Sequence, residues 1–175
     1  MEATRQSSLV DRMIRAAMLD EQLYEEVEHD QSATGQAMLI VLLGAVAAGI
    51  GALYGGLIAL AVGMAAALVG WAVYAFVAYW VGTHIFHGPH TSATWGELLR
   101  TLGFANSPRV LLVFLIIPVV GLFLALAVFI WTLVTTVIAI RQALDFTTGR
   151  AIATAVVSWI VLLLVAFVLT AIVAG

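Results

Sequence analysis

The stretch THIFHGPH, residues 83–90, carries His84, His87 and His90 at intervals of three. Imidazoles at an H-x₂-H-x₂-H spacing are donors that zinc and copper accept. The set lacks a complement. Gly88 and Pro89 break a helix between the second and third histidines, and no cysteine or carboxylate stands close enough in sequence to finish a site. The spacing is therefore read as polar residues where a segment leaves a membrane, with no metal and no cofactor expected. His29 stands by itself and reads as solvated. Ser158 has no histidine or lysine near it to activate it as a nucleophile. No glycine-rich phosphate loop precedes a basic residue, and without cysteine there is no thiol chemistry. These absences point away from an enzyme.

Positive charge is the other candidate for function. The chain has no lysine, so seven arginines carry all of the fixed positive charge. Four of them, Arg100, Arg109, Arg141 and Arg150, lie beyond residue 31. Together they could form a ring that contacts lipid phosphates. The plainer alternative is that they anchor the inner membrane interface. Glu97 and Asp145 are available as partners.

What positions these residues is a membrane. The 175 residues are 63% hydrophobic and 10% charged, against about 45–50% and about 25% in a soluble domain. A chain this short cannot bury so much apolar surface in its own core. Eight of its ten acids fall in residues 1–30, with three arginines, so the head carries a net charge of −5. That balance argues against nucleic acid and simple electrostatic attachment to anionic lipid, and suits solvation or a basic partner. The head contains no basic stretch leading into an apolar core, so no cleaved signal peptide is expected.

Residues 1–34 read as an acidic cytosolic head of amphipathic helices, followed by a membrane domain over 35–175. Ser7 and Ser8 can cap a helix to about Leu19, with Leu9, Met13 and Ala17 on one face beside Val10, Ile14 and Met18. DEQLYEEVEHD puts Leu23 and Val27 on one side with Tyr24 adjacent. Both are expected to lie on the membrane or on the protein's own cytosolic face. Residues 36–83 would rise about 72 Å as one helix, against a hydrocarbon core of about 30 Å, so they must turn. GALYGG, residues 51–56, gives spans at 36–53 and 57–82, with Tyr54 at the far interface. Trp71, Tyr74, Tyr79 and Trp80 suggest an aromatic belt. Small residues four apart (Gly44 with Ala48, Gly51 with Gly55, Gly63 with Ala67, Ala66 with Gly70) are expected where helices touch.

TWGE at 94–97 is a capping box that opens a short helix on the inner face, with Gly103 as its C-cap. Pro108 suits the first turn of the next segment. Residues 110–140 are again too long for one span. Pro118 and Gly121 divide them into a short segment at 107–118 and a span at 120–141; the rival is one kinked helix. Charge placement favours the hairpin, because it returns all four arginines to the side of the N-terminus. A last span at 150–173 completes an all-α bundle of five membrane segments. The N-terminus is inside, and no charge lies within a span. Thr132, Thr135, Thr136 and Ser158 are expected to bond between helices or to their own backbone.

LGFANSP, residues 102–108, resembles the LGY-x-x-x-P signature of the Yip1 domain family, with Phe104 in place of tyrosine. RAAMLDEQLYEEVEHDQSATGQA, IPVVG at 117–121, IW at 130–131 and IRQALDFTTGRAIA at 140–153 are similar to its bacterial members. The resemblance covers nearly the whole chain, and Leu102, Gly103, Phe104 and Pro108 carry its motif. It implies a cytosolic N-terminus, five membrane segments and the bacterial inner membrane. Eukaryotic members contact Rab GTPases through heads bearing a DLYGP-type motif. LDEQLYEEVE here lacks that proline and glycine, so Rab binding is not carried over.

The resulting expectation is a non-enzymatic membrane scaffold or adaptor that organises the bilayer or meets a protein partner, or a second copy of itself, through its cytosolic face. The alternative is a small transporter or channel component for a neutral or apolar solute, supported by the broken third segment. A metal-linked membrane enzyme using the histidines is a weaker third.

Overall fold

The computed structural model describes residues 8–52, 56–88, 91–117 and 119–174. Tyr54, Gly55, His90 and Pro118 lie outside them. The described residues are helical throughout their regular elements, and five helical segments are long and apolar enough to cross a membrane.

Two short helices form the head. Helix α1, Leu9–Ala17, starts where the Ser8 hydroxyl accepts from the Asp11 amide at 3.2 Å. Helix α2, Glu21–His29, is capped by Asp20, which accepts from the amides of Gln22 and Leu23. Leu23, Tyr24 and Val27 are fully buried beneath it. Each such burial from water stabilises docking by about 1.5–3 kcal/mol. The head therefore packs on the protein itself. Val10, Ile14 and Met18 remain exposed along the outer edge of α1.

The spans follow the expected order. Helix α3 is Ala33–Ala52 and α4 is Gly56–His84. Helix α5, Trp95–Ala105, runs into a 3₁₀ segment, Ser107–Ile116. Helix α6 is Val120–Ala143 and α7 is Thr148–Ala174. The capping box at α5 forms on both sides: the Glu97 amide donates to Thr94 Oγ1 at 3.3 Å, and the Thr94 amide to Glu97 Oε2 at 2.7 Å.

Residues 110–140 form a hairpin. A Cβ on Gly121 would stand 2.8 Å from the carbonyl oxygen of Leu115. At the other end of α6, Thr135 Oγ1 donates to the Ala105 carbonyl at 2.7 Å. The 3₁₀ segment and α6 thus run antiparallel. Ten residues at about 2.0 Å rise reach about 20 Å, where an α-helix would reach about 15 Å. The stretched geometry lets a short segment go deep. Val119, at the tip, has φ +67°, a strained backbone for a β-branched residue.

Helix α5 differs from the surface helix expected. Leu98, Arg100, Thr101, Leu102, Gly103, Phe104 and Ala105 are all buried. It crosses the head end of the bundle from α4, where Trp71 Nε1 donates to the Leu99 carbonyl at 3.0 Å, to α3, where Gly103 meets Ala37. The head helices stack on it. Gly103 is not its C-cap. The helix continues to Ala105 and is capped by Asn106. A Cβ at Gly103 would stand 2.5 Å from Ala37 Cβ and 3.0 Å from Ala37 Cα. The residue is glycine because two backbones touch there.

Candidate functional site

The four arginines beyond the head do not share one task. Arg100 is 7% exposed. Its Nε donates to the carbonyls of Val27, at 3.0 Å, and Glu28, at 3.1 Å, and its Nη2 bonds Glu28 as well. These carbonyls end α2, so the guanidinium sits at the negative pole of that helix. Arg141 pairs with Glu21, Nη1 to Oε1, at 2.9 Å. Both hold the head down. Within the head, Arg12 binds Glu26 at 2.7 Å and Asp30 at 3.0 Å, and Arg15 binds Asp20 at 2.7 Å and Glu26 at 3.1 Å. Arg12 also reaches Gln36 at the start of α3, and Trp131 Nε1 donates to the Ala17 carbonyl at 2.7 Å. The sequence groups Arg100 and Arg141 with the headgroup contacts, because the backbone carbonyls that bind Arg100 have no sequence signature and Glu21, which binds Arg141, lies 120 residues away.

Arg109 corrects the expectation of spans without internal charge. A Cβ on Gly44 would stand 3.1 Å from Arg109 Cβ, and Gly44 lies near the middle of the twenty-residue α3. Between the Ala37–Gly103 contact and the Gly44–Arg109 contact α3 descends seven residues, about 10 Å. The backbone of Arg109 therefore lies at the depth of mid-α3, below α5, while its side chain stays exposed at a cavity mouth. The polar run before it looked like a loop at the interface. It is instead buried, because its side chains bond to the backbone: Asn106 Nδ2 to the Leu102 carbonyl at 2.8 Å, and Ser107 Oγ to the Phe104 carbonyl at 2.6 Å. The family motif forms this joint. Leu102, Phe104 and Pro108 are buried around it, and Pro108 opens the 3₁₀ segment as expected.

Arg150 is exposed at the start of α7 and lies against Gly88. His84 Nδ1 lies 3.1 Å from the Trp80 carbonyl and its ring stacks on Trp80. Among the described residues, the metal-capable groups that do come together are Glu25, Glu28 and His29, within 4.8 Å of one another, rather than His84 and His87. Glu28 is 7% exposed with Oε2 unpartnered. Burial, followed by repulsion from Glu25, pushes its carboxyl up to about 7. The Arg15 guanidinium holds the Asp20 carboxyl below its usual range. Thr132 and Thr135 bond backbone carbonyls as expected, but Ser158 and Thr154 have no partner among the described residues.

Fold and placement of charge together define a polytopic helical membrane protein with a folded head clamped on one end. A family model for the Yip1 domain matches residues 21–170. The chain therefore belongs to the Yip1 domain family. No curated protein and no solved structure matches it significantly.

Proposed function

We propose that the chain is a non-enzymatic membrane scaffold whose head is presented, already folded, to a basic protein partner on the cytoplasmic side. The observation that carries this reading is the clamp. Arg100, Arg141 and Arg12 hold α1 and α2 against the bundle, while Asp11, Glu21 and Glu25 stay exposed. A pre-ordered acidic surface binds without the entropy cost of folding a tail. The positive-inside rule supports a cytoplasmic reading of this face, and family membership supports a membrane role without chemistry of its own.

The test is cross-linking in cells from a photoreactive residue at position 22, which is exposed beside Glu25 on α2, in the parent protein and in an Asp11→Arg, Glu25→Arg variant. A discrete adduct that the charge reversal abolishes supports the reading. Absence of any adduct, or an adduct indifferent to the charges, refutes it. The alternative, a carrier for a neutral or apolar solute, draws on the half-open space between the spans; flux into proteoliposomes would favour it.

A further inference from the structure

The membrane segments close a ring. Helix α3 packs on the 3₁₀ segment, that segment on α6, α6 on α7, α7 on α4, and α4 back on α3. The ring is not filled. Its centre holds a cavity of about 640 Å³ bounded by Val41, Tyr74, Leu112, Val128 and Trp159, among others. That size falls within the roughly 300–1,000 Å³ typical of small-molecule sites. A second cavity of about 550 Å³ runs between the far halves of α3 and α4, walled by small residues such as Ala48, Gly49, Gly56 and Gly63. Arg109 and Ala67 border both, so Arg109 stands at their junction. The small residues of α4 that suggested a helix contact line this space instead. A Cβ at Gly63 or Gly70 would meet nothing within 4 Å.

The polar atoms around the central cavity are largely spent on backbone. Trp71 Nε1 donates to Leu99 at 3.0 Å, Tyr74 OH to Ala155 at 3.4 Å and Thr132 Oγ1 to Val128 at 2.8 Å. Arg109 brings the fixed charge to this lining. Among the described residues it has one hydrogen bond, from Nη1 to Asn106 Oδ1 at 3.2 Å, and no carboxylate within ion-pair distance. A cation at this depth without an anionic partner marks a functional site. Its planar fork matches a carboxylate bidentately.

The geometry points to a binding site for a long-chain fatty acid, its carboxylate on Arg109 and its tail in the small-residue groove between α3 and α4. One cation calls for one anionic group. The groove of alanines and glycines suits one acyl chain. A diacyl phospholipid would bring glycerol oxygens and a second chain, and the lining offers few free donors for the former. This inference stands apart from the scaffold reading, since it concerns the bundle interior and needs no protein partner.

The test uses the full chain in a nonionic detergent, stripped of lipid and titrated with oleate, oleyl alcohol or phosphatidylglycerol. Binding is read by thermal midpoint and by quenching of tryptophan fluorescence with a brominated stearate, because Trp71 and Trp159 line the cavity. Oleate near a hundredfold excess over Kd should raise Tm by about 5–10 °C. Oleyl alcohol should bind at least about tenfold more weakly. Arg109→Gln should lose about 10–100-fold in oleate affinity, Arg109→Lys should keep part of it, and Ala67→Phe should block the junction with the charge intact. The comparison of acid with alcohol is made on the parent protein, so it stands even where a variant does not fold. Equal binding of acid and alcohol, undiminished binding by Arg109→Gln, preference for phosphatidylglycerol, or no binding at all would each overturn the assignment.

Discussion

Replacing Arg100 with alanine should release the head while the bundle stays assembled. The Arg100 guanidinium makes three contacts to two carbonyls, those of Val27 and Glu28. Hydrogen bonds from a charged donor contribute about 1.5–3 kcal/mol each, but bonds sharing one guanidinium are not additive. Their geometry on the C-terminal turn of α2 adds a further favourable interaction of up to about 2 kcal/mol. A net loss of about 3 kcal/mol is a conservative total, and at 1.4 kcal/mol per tenfold it multiplies the undocked population about 100-fold. Hydrogen exchange resolves this. The amides of α1 and α2 should exchange about 100-fold faster in Arg100→Ala, while those of Thr135–Ile140 in α6 keep their protection. Arg100→Lys should fall between, because one ammonium replaces the fork. Unchanged protection of α2, or equal loss in α2 and α6, would refute the argument that Arg100 acts as the head clamp.

Docking of the head should also depend on pH. The Glu28 carboxyl is pushed up to about 7 by burial, against about 4.3 unfolded. Between about pH 4.5 and 7 the released head gives up this proton and the docked head does not, so docking weakens as pH rises through that window, by at most about 4 kcal/mol, and levels off above it. Asp20 works in the opposite sense. Its carboxyl is lowered by Arg15, so its contribution is present above about pH 4 and lost below it. Exchange protection of α2, corrected for intrinsic rates, should therefore fall from pH 5 to pH 8 in the parent and fall much less in Glu28→Gln, where the exposed His29, raised by its bond to the Glu25 carbonyl, still titrates. Gly103→Ala should cost about 1–3 kcal/mol through overpacking on Ala37, seen as a lowered midpoint in detergent. Ala37→Gly should restore much of it in the double variant, and an additive double variant would show that the two backbones do not meet there.

The spans were legible because hydrocarbon imposes a simple rule: a run of uncharged residues must be about 20 long or turn. Residues 36–83 broke that rule as a single helix, so their division was forced, and residues 110–140 strained it. The arginines then favoured a hairpin over one kinked helix, and Gly121 against Leu115 bears it out. The caps at Ser8 and Thr94 and the buried face of α2 were equally readable, since capping and amphipathicity are local. The family motif was visible as a string, without its meaning.

Three matters were decided only in three dimensions. Gly103 read as a helix end on sequence grounds, and the approach of Ala37 made it a contact point instead. Arg100 and Arg109, nine residues apart, looked alike. One reached the carbonyls of α2 and became a clamp, while the other was carried past α5 into an unfilled ring. Sequence by itself determined that this chain crosses a membrane as an all-α bundle with an acidic head, because solvation of whole segments depends on composition. Tertiary structure decided which charges are satisfied and which is left facing a cavity, because the partners are carbonyls and empty space contributed by segments distant in the chain.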